Sequence, residues 1–396
     1  MNIVSQILAV TAMNLRSIPQ RLGNSLVIVV GIAGVVAVLI SVLAMYLGFR
    51  TTIDGDASAE RVIVLSRGAS AENESGLSRE NVAAVMNAAG IKHDAQDRPV
   101  VSAELILVAP VARKRDNSDV YVTLRGVGPQ YFVLRPELKL VSGRMFRAGN
   151  QELLVGASAG GQFVGLEIGS RVRLQDGDWT VVGTFAGGNG SRESEVIADA
   201  QTVMSAYKID AFNCVSVLRA SGDGFATLKT ALAEDSTVAV DVRTEPEYLA
   251  TASGSVNRML QLVAYSIGSI MALGALFGAL NSMHSAVAAR TVEIATLRAI
   301  GFTSLSVALA VLIEALLLAL AGAMAGAAIA YGAFNGSTIS TLGGAVWDSQ
   351  LVYSLNITPS LVVIAIVLAC VLGLLGGLFP AIRAARSSVA DAFHER

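Results

Sequence analysis

The chain has 396 residues, 53% hydrophobic, only 15% charged and 6% aromatic. Ordinary soluble domains carry roughly 25% charged residues, and the mean hydropathy of +0.58 is far from that class. A net charge of −2 offers no electrostatic footprint for nucleic acid, and two cysteines with no compositional repeat exclude a disulfide-stapled or collagen-like chain.

The charges are unevenly placed. Runs at 25–49, 260–283, 303–334 and 357–379 contain Glu314 as their single charged residue. Each run is long enough to cross a ~30 Å hydrocarbon core as a helix. Residues 1–24, with Arg16 and Arg21, lead into the first run. That run is about twice the length of a signal-peptide apolar region and no clean small-x-small site follows it, so it reads as an uncleaved anchor.

Residues 50–256 carry 21 basic and 26 acidic residues and read as a solvated insert. Val-rich segments bounded by Gly, Asp or Asn predict strands at 61–66, 100–108, 120–127, 152–155, 171–174, 179–185, 196–198, 215–218 and 238–242. Capped amphipathic segments predict helices at 78–89 and 225–233. Gly143, Gly156, Gly160, Gly161, Gly165, Gly169, Gly177 and Gly183 mark turns. This is an α+β pattern, with room for two lobes, and 244–260 reads as a helical stalk entering the second span.

No enzyme is visible in the insert. The string from Gly224 to Lys229 and Thr230 lacks the second glycine of a phosphate loop. His93, His284 and His394 fall in three separate regions, so no metal-ligand spacing arises. The pairs Glu193/Glu195 and Asp176/Asp178 read as solvated turn residues, and Cys214 and Cys370 as structural thiols. Catalytic, cofactor-binding and metal-binding residues are therefore expected to be none.

Within the spans, Glu314 sits about 16 Å along the third helix, deep enough to need a partner, as a gate, a relay or an interhelical contact. Gly274/Gly278, Gly322/Gly326 and Gly373/Gly377 place small residues four apart, the pattern of close helix packing in lipid. The loop 285–302 reads as a short helix ended by Gly301, carrying Arg290, Glu293, Ile294, Leu297 and Arg298. Basic residues cluster at the N-terminus, in this loop and at Arg383, Arg386 and Arg396, whereas 335–356 has Asp348 and no Lys or Arg. By the positive-inside rule, both termini and the 285–302 loop are cytoplasmic and the insert faces out.

At that loop the sequence, R-x-x-E-I-x-x-L-R-x-x-G from Arg290 to Gly301, resembles the permeases of the macrolide-exporter and cell-division (MacB/FtsX-like) type of ABC transporter. Asn14, Arg16 and Arg21 before the first span fit the same pattern, as do Phe379, Pro380, Arg383 and Arg386 at the exit of the last, followed by Val389 and Phe393. So do Ser142, Gly143, Arg144 and Phe146, Glu152 to Gly156, Ile168 and Gly169, and Trp179 to Gly183 in the insert. The resemblance implies a one-plus-three order of spans and a permease pair, expected as a homodimer, working with a cytoplasmic ABC ATPase dimer on separate chains. ATP and Mg would be held there and not on this chain. Arg290, Glu293, Ile294, Leu297, Arg298 and Gly301 would form the ATPase-coupling helix.

The expected organisation is a four-helix membrane protein with a large α+β extracytoplasmic domain. It runs as an N-terminal segment (1–24), span 1 (25–49), outer domain with stalk (50–256), span 2 (257–284), coupling helix (285–302), span 3 (303–334), outer loop (335–356), span 4 (357–379) and C-terminal tail (380–396). The expected function is ATP-driven, mechanically transmitted export or extraction of an amphipathic substrate (peptide, antibiotic, lipid or lipoprotein) at the bacterial inner membrane. Membrane lipid and a periplasmic adaptor protein are the further partners to consider. The alternative is a signalling subunit that activates an extracytoplasmic hydrolase or sensor.

Overall fold

The computed structural model describes residues 3–17, 22–55, 57–175, 177–187, 190–235, 237–340 and 352–386. They form two compact units, one of Gly48–Met259 with Thr338–Ser354, the other holding the remainder.

In the first unit, ten strands among the described residues form one mixed sheet, ordered β10-β1-β9-β2-β3-β8-β5-β7-β4 with β6 beside β7. They are β1 (Arg61–Ser66), β2 (Val101–Ala112), β3 (Asp119–Val127), β4 (Lys139–Gly143), β5 (Glu152–Gly156), β6 (Arg171–Leu174), β7 (Gly177–Ala186), β8 (Val196–Asp199), β9 (Cys214–Leu218) and β10 (Val240–Thr244). The pairings β3–β8 and β5–β7 are parallel and the others antiparallel. The ten strands make one continuous sheet. Val62, Val64, Leu124, Leu153, Trp179 and Phe163 bury their side chains in its principal core.

The helix Arg79–Met86 starts where the sequence suggests. Ser78 accepts from the Asn81 amide while the Asn81 side chain accepts from the Ser78 amide, a reciprocal cap. Of the glycines expected as turns, Gly143, Gly165 and Gly169 hold positive φ. Gly156 instead lies in β5, so close to the Glu193 carbonyl that no Cβ would fit, and Gly160 and Gly161 lie in the helix Ala157–Gln162. A separate two-stranded hairpin, β11 (Thr338–Ser340) and β12 (Val352–Ser354), belongs to the same unit, where the sequence suggests only a loop. Ser194 Oγ both receives the Val352 amide at 2.9 Å and donates to its carbonyl at 3.2 Å, and Phe49 meets Tyr353 edge-on.

The second unit is helical. Apolar helices long enough to cross a membrane are Ser25–Asp54, Arg258–Ala288, Ser304–Phe334 and Pro359–Arg386. We label α1 (Ile3–Ser17), α2 (Leu22–Asp54), α3 (Glu245–Ala288), α4 (Thr291–Ala299), α5 (Ser304–Phe334) and α6 (Pro359–Arg386). Helix α1 was not foreseen, and α6 continues through Pro380 to Arg386. Residues 387–396, including Val389, Phe393, His394 and Arg396, lie outside the described residues, as do Arg21, Asp176 and Asp348. On α5 the buried positions Ala315, Leu318, Ala319, Gly322, Ala323 and Gly326 recur every three or four residues, a stripe of small side chains that lets helices approach.

Two of the three glycine pairs meet neighbours. A Cβ on Gly322 would stand 2.8 Å from the Val29 carbonyl, one on Gly326 would collide with the Ala33 carbonyl, and Gly373 and Gly377 lie against Ala319 and Ala315. Gly274 and Gly278 face open space among the described residues. We therefore expect Gly326→Ala to destabilise the detergent-solubilised monomer by about 1–3 kcal/mol through overpacking. Gly274→Ala should leave its thermal unfolding midpoint unchanged.

Candidate coupling site

Helix α4 is a single short segment between two spans, and its boundaries have local causes. Gly301 at φ +103° lets the chain reverse, with the Phe302 amide donating to the Leu297 carbonyl at 3.1 Å. Thr303 then caps α5 by accepting from the Ser306 amide.

Arg290, at the start of α4, turns inward. One guanidinium nitrogen stands 3.3 Å from Glu314 Oε2, the side chains being 7% and 8% exposed, and another donates to Ser17 Oγ of α1. Glu314, expected to need a partner, is thus paired with a residue expected on the coupling surface. Ion pairing offsets part of the penalty that burial places on an isolated carboxylate. A cavity of about 200 Å³ adjoins the pair, lined by Asn14, Ser17, Val287 and Leu297 among others. Helix α1 is tied in again at its other end: Gln6 Oε1 accepts from the Thr303 amide at 3.2 Å and from Ser306 Oγ at 3.0 Å.

The remaining predicted coupling residues divide by burial. Glu293 is exposed and Gly301 likewise, Leu297 and Arg298 are half-buried, and Ile294 is buried in the core shared by α2, α5 and α6. The solvent-facing side of α4 is Val292, Glu293, Thr296, Ala299 and Ile300, with Val292 54% and Ile300 72% exposed. Arg290 and Ile294 therefore anchor the helix inward.

The first unit holds two further buried ionic groups. Arg125 donates to Glu195 at 2.6 Å, to Glu104 at 2.8 Å and to Glu72 at 3.0 Å, and Arg192 adds contacts to Glu195 at 3.1 Å and Glu72 at 3.6 Å. Glu245, the first residue of α3, receives Arg61 at 2.6 Å and Arg135 at 2.5 Å. Glu193 and Glu195, read from sequence as solvated, are both buried. Arg125, 70 residues away, and Arg192, three residues away, supply the countercharge for Glu195, while Glu193 accepts the Gly187 amide. Burial drives the Glu104 carboxyl above its ordinary range and the Tyr131, Tyr248 and Cys214 groups upward as well. Among the described residues no group of His, Cys, Asp and Glu is arranged to hold a metal ion.

One apolar helix, a large α+β domain and three further apolar helices define a multi-pass membrane protein of the ABC permease class. Residues 25–243 match the MacB-like periplasmic core domain and residues 265–389 the FtsX-like permease C-terminal domain. The chain belongs to the MacB/FtsX-like family of ABC transporter permeases. It is accordingly a permease subunit, multi-pass in the inner membrane, of a family that works with a cytoplasmic ABC ATPase.

Among solved structures, the extracellular domain of the noncanonic ABC-type transporter YknZ from Gram-positive bacteria is similar at 16% identity and TM-score 0.36, covering 46% of this chain and 99% of that one. The periplasmic region of MacB from Actinobacillus actinomycetemcomitans is similar at 16% identity and TM-score 0.38, covering 49% and 92%. No curated protein sequence matches.

Removing one member of a buried ion pair strands the other. Arg290→Met is expected to cost about 3–5 kcal/mol in reversible denaturation in micelles, and the double variant Arg290→Met with Glu314→Met to recover more than half of that loss.

Proposed function

We propose that this chain converts ATP-driven closure of a separate ATPase dimer into movement of its outer domain, and so exports or extracts an amphipathic substrate. The supporting observation is how α3 is held. It runs unbroken from Glu245 to Ala288, its first residue carries the countercharge for Arg61 and Arg135 of the outer unit, and α4 follows it after two residues. A helix clamped at one end by buried charge transmits displacement without bending at that joint.

The hairpin β11–β12 gives the segment between α5 and α6 a comparable attachment, because Ser194 Oγ bonds both the amide and the carbonyl of Val352. In this reading the outer domain receives motion from α2, α3 and the α5–α6 connection together. The ATPase docks on the exposed side of α4, and two copies of the permease, a homodimer, share one ATPase dimer. Gly274 and Gly278, with no neighbour among the described residues, suit the contact with the second copy or with lipid.

The orientation is part of the proposal. Basic residues Arg16, Arg290, Arg298, Arg383 and Arg386 flank span ends on the side assigned to the cytoplasm. In intact cells, Asp97→Cys should react with an impermeant thiol reagent and Thr296→Cys should not. Both positions are exposed within their own units, so the reverse pattern would invert the topology. Val292→Lys with Ile300→Asp should abolish co-purification of the ATPase while the chain still inserts and folds. Undiminished ATPase recovery would reject α4 as the docking element.

A further inference from the structure

One edge of the ten-stranded sheet in the first unit is left open. Strand β7 pairs with β5 along one side, and along its other side with β4 and then with β6. Lys139–Gly143 lies against Gly183–Ala186 and Arg171–Leu174 against Gly177–Thr180, both antiparallel. The two short strands therefore run in the same direction, one after the other, as a single interrupted edge strand. Neither has a further strand partner among the described residues, and all five residues of β4 are exposed. An edge of this kind leaves a row of amides and carbonyls outside the ladder, which is a template for one more strand.

The side chains on this edge define what that strand must be. Strands β4 and β6 carry Lys139, Arg171 and Arg173 and no acidic residue. Arg144, just after β4, is neutralised by Glu152 in a two-point pair at 2.7 Å. Lys139, Arg147, Arg171 and Arg173 are exposed and have no ion-pair partner among the described residues. Of the acidic residues near them in sequence, Glu137 is held by Arg61 at 2.9 Å and Glu167 by Lys114 at 3.0 Å. There remain Asp178, the cross-strand neighbour of Arg173, and Asp176, two residues before it. Four cations against two carboxylates make the edge net basic, within residues 50–256 where acidic residues outnumber basic ones. The edge is also apolar at its centre, with Val141 65% exposed and Leu140 and Met145 exposed beside it. Lys139 and the register shift between Leu140 and Ser142 are devices by which a sheet edge discourages indiscriminate pairing. An acidic strand turns the same lysine from an obstacle into a partner, so the edge is selective and not merely open. A second copy of this chain would instead set one basic edge against another.

We infer that β4 and β6 form a docking edge for an extended acidic segment of another protein, one that alternates carboxylates with aliphatic residues and adds to the sheet as a further strand. Its backbone pairs with the open side of β4, its carboxylates meet Lys139, Arg171 and Arg173, and its aliphatic side chains lie on Leu140 and Val141. On the orientation proposed above, that protein is extracytoplasmic. The edge is defined within the first unit alone and requires neither the ATPase nor the transport cycle.

The test uses the full chain in phosphatidylcholine nanodiscs, open on both faces and so indifferent to orientation. The probe is a fluorescein-labelled peptide of alternating Glu and Val, read by anisotropy with empty nanodiscs as the blank. We expect saturable binding at one site per chain. The same peptide with Lys in place of Glu, or with its central amides N-methylated, should bind at least about tenfold more weakly, the first change reporting charge and the second strand pairing. Lys139→Glu combined with Arg171→Glu, which breaks no ion pair, should retain the unfolding midpoint and exchange the preference from the Glu peptide to the Lys peptide. Binding no greater than the blank, equal binding of either control peptide, or undiminished binding of the Glu peptide by the folded double variant would each overturn the assignment. Quantitative disulfide formation between Val141→Cys chains would overturn it in favour of a second copy. Retention by phosphatidylglycerol vesicles that the double variant loses, without peptide binding, would overturn it in favour of a lipid surface.

Discussion

A charge taken out of water must meet its opposite, because the penalty for leaving it alone in a poorly polarisable interior exceeds what almost any single packing contact returns. Among the described residues three buried ionic groups answer that demand, and each ties together different elements of the chain. Arg61 and Glu245 are 184 residues apart and Arg125 and Glu195 are 70 apart, while Arg290, 24 residues from Glu314, also donates to Ser17, 273 residues away. Such pairs are not an efficient source of net stability, since apolar residues of the same size often do as well. Their effect is to make one arrangement of the segments far better than its neighbours. Sliding α3 by a turn relative to β1 would leave two guanidinium groups without Glu245, whereas an apolar contact would only exchange one hydrophobic neighbour for another.

The membrane-spanning helices meet the complementary constraint. Lipid offers no hydrophobic drive for helices to associate, so contact depends on how closely backbones approach and on the few polar groups available. The stripe of Ala and Gly along α5 provides the first, against α2 through Gly322 and Gly326 and against α6 through Ala315 and Ala319. Glu314 provides the second. It is buried on the same stripe, so the close approach that the small residues permit also keeps Arg290 and the carboxylate shielded from water. Packing and pairing reinforce each other on one helix face.

How much of this could be read from the sequence depends on whether the determinant is local. The long apolar helices coincide with runs almost free of charge, a property of neighbouring residues, although the last helix, Pro359–Arg386, continues through Pro380 well past its apolar run. The principal strands were legible because Val alternation is a property of four to eight neighbours. Strand β4 was not, since Lys139–Gly143 is wholly exposed at the sheet edge and shows no buried face. Strand β2 runs on past Val108 to Ala112 and takes in Pro110, a residue without a ladder donor that local reading does not place inside a strand. Helix α1 has no acidic first turn and is short, and its docking rests on Gln6 and Ser17, polar residues whose partners lie about three hundred positions away. Glu195 looked solvated for the same reason: nothing near it in sequence reveals that Arg125 will lie beside it. Charges announce that a partner exists, but only the fold names the partner.

The same logic bears on Arg290. A coupling helix that presented all of its basic residues to an external partner would be held to its own subunit only by apolar contact, and could swing when pushed. Here Arg290, the residue that precedes α4, is committed inward to Glu314 and Ser17, and Ile294 one turn on is buried. A load applied to Val292, Glu293 or Ile300 therefore has little freedom to rotate α4 alone, because rotation would pull a guanidinium away from a buried carboxylate. The less costly response is for α4 to move with α1 and α5 as one body. For a helix whose proposed task is to pass a displacement on, the inward ion pair contributes as much to coupling as the outward surface does.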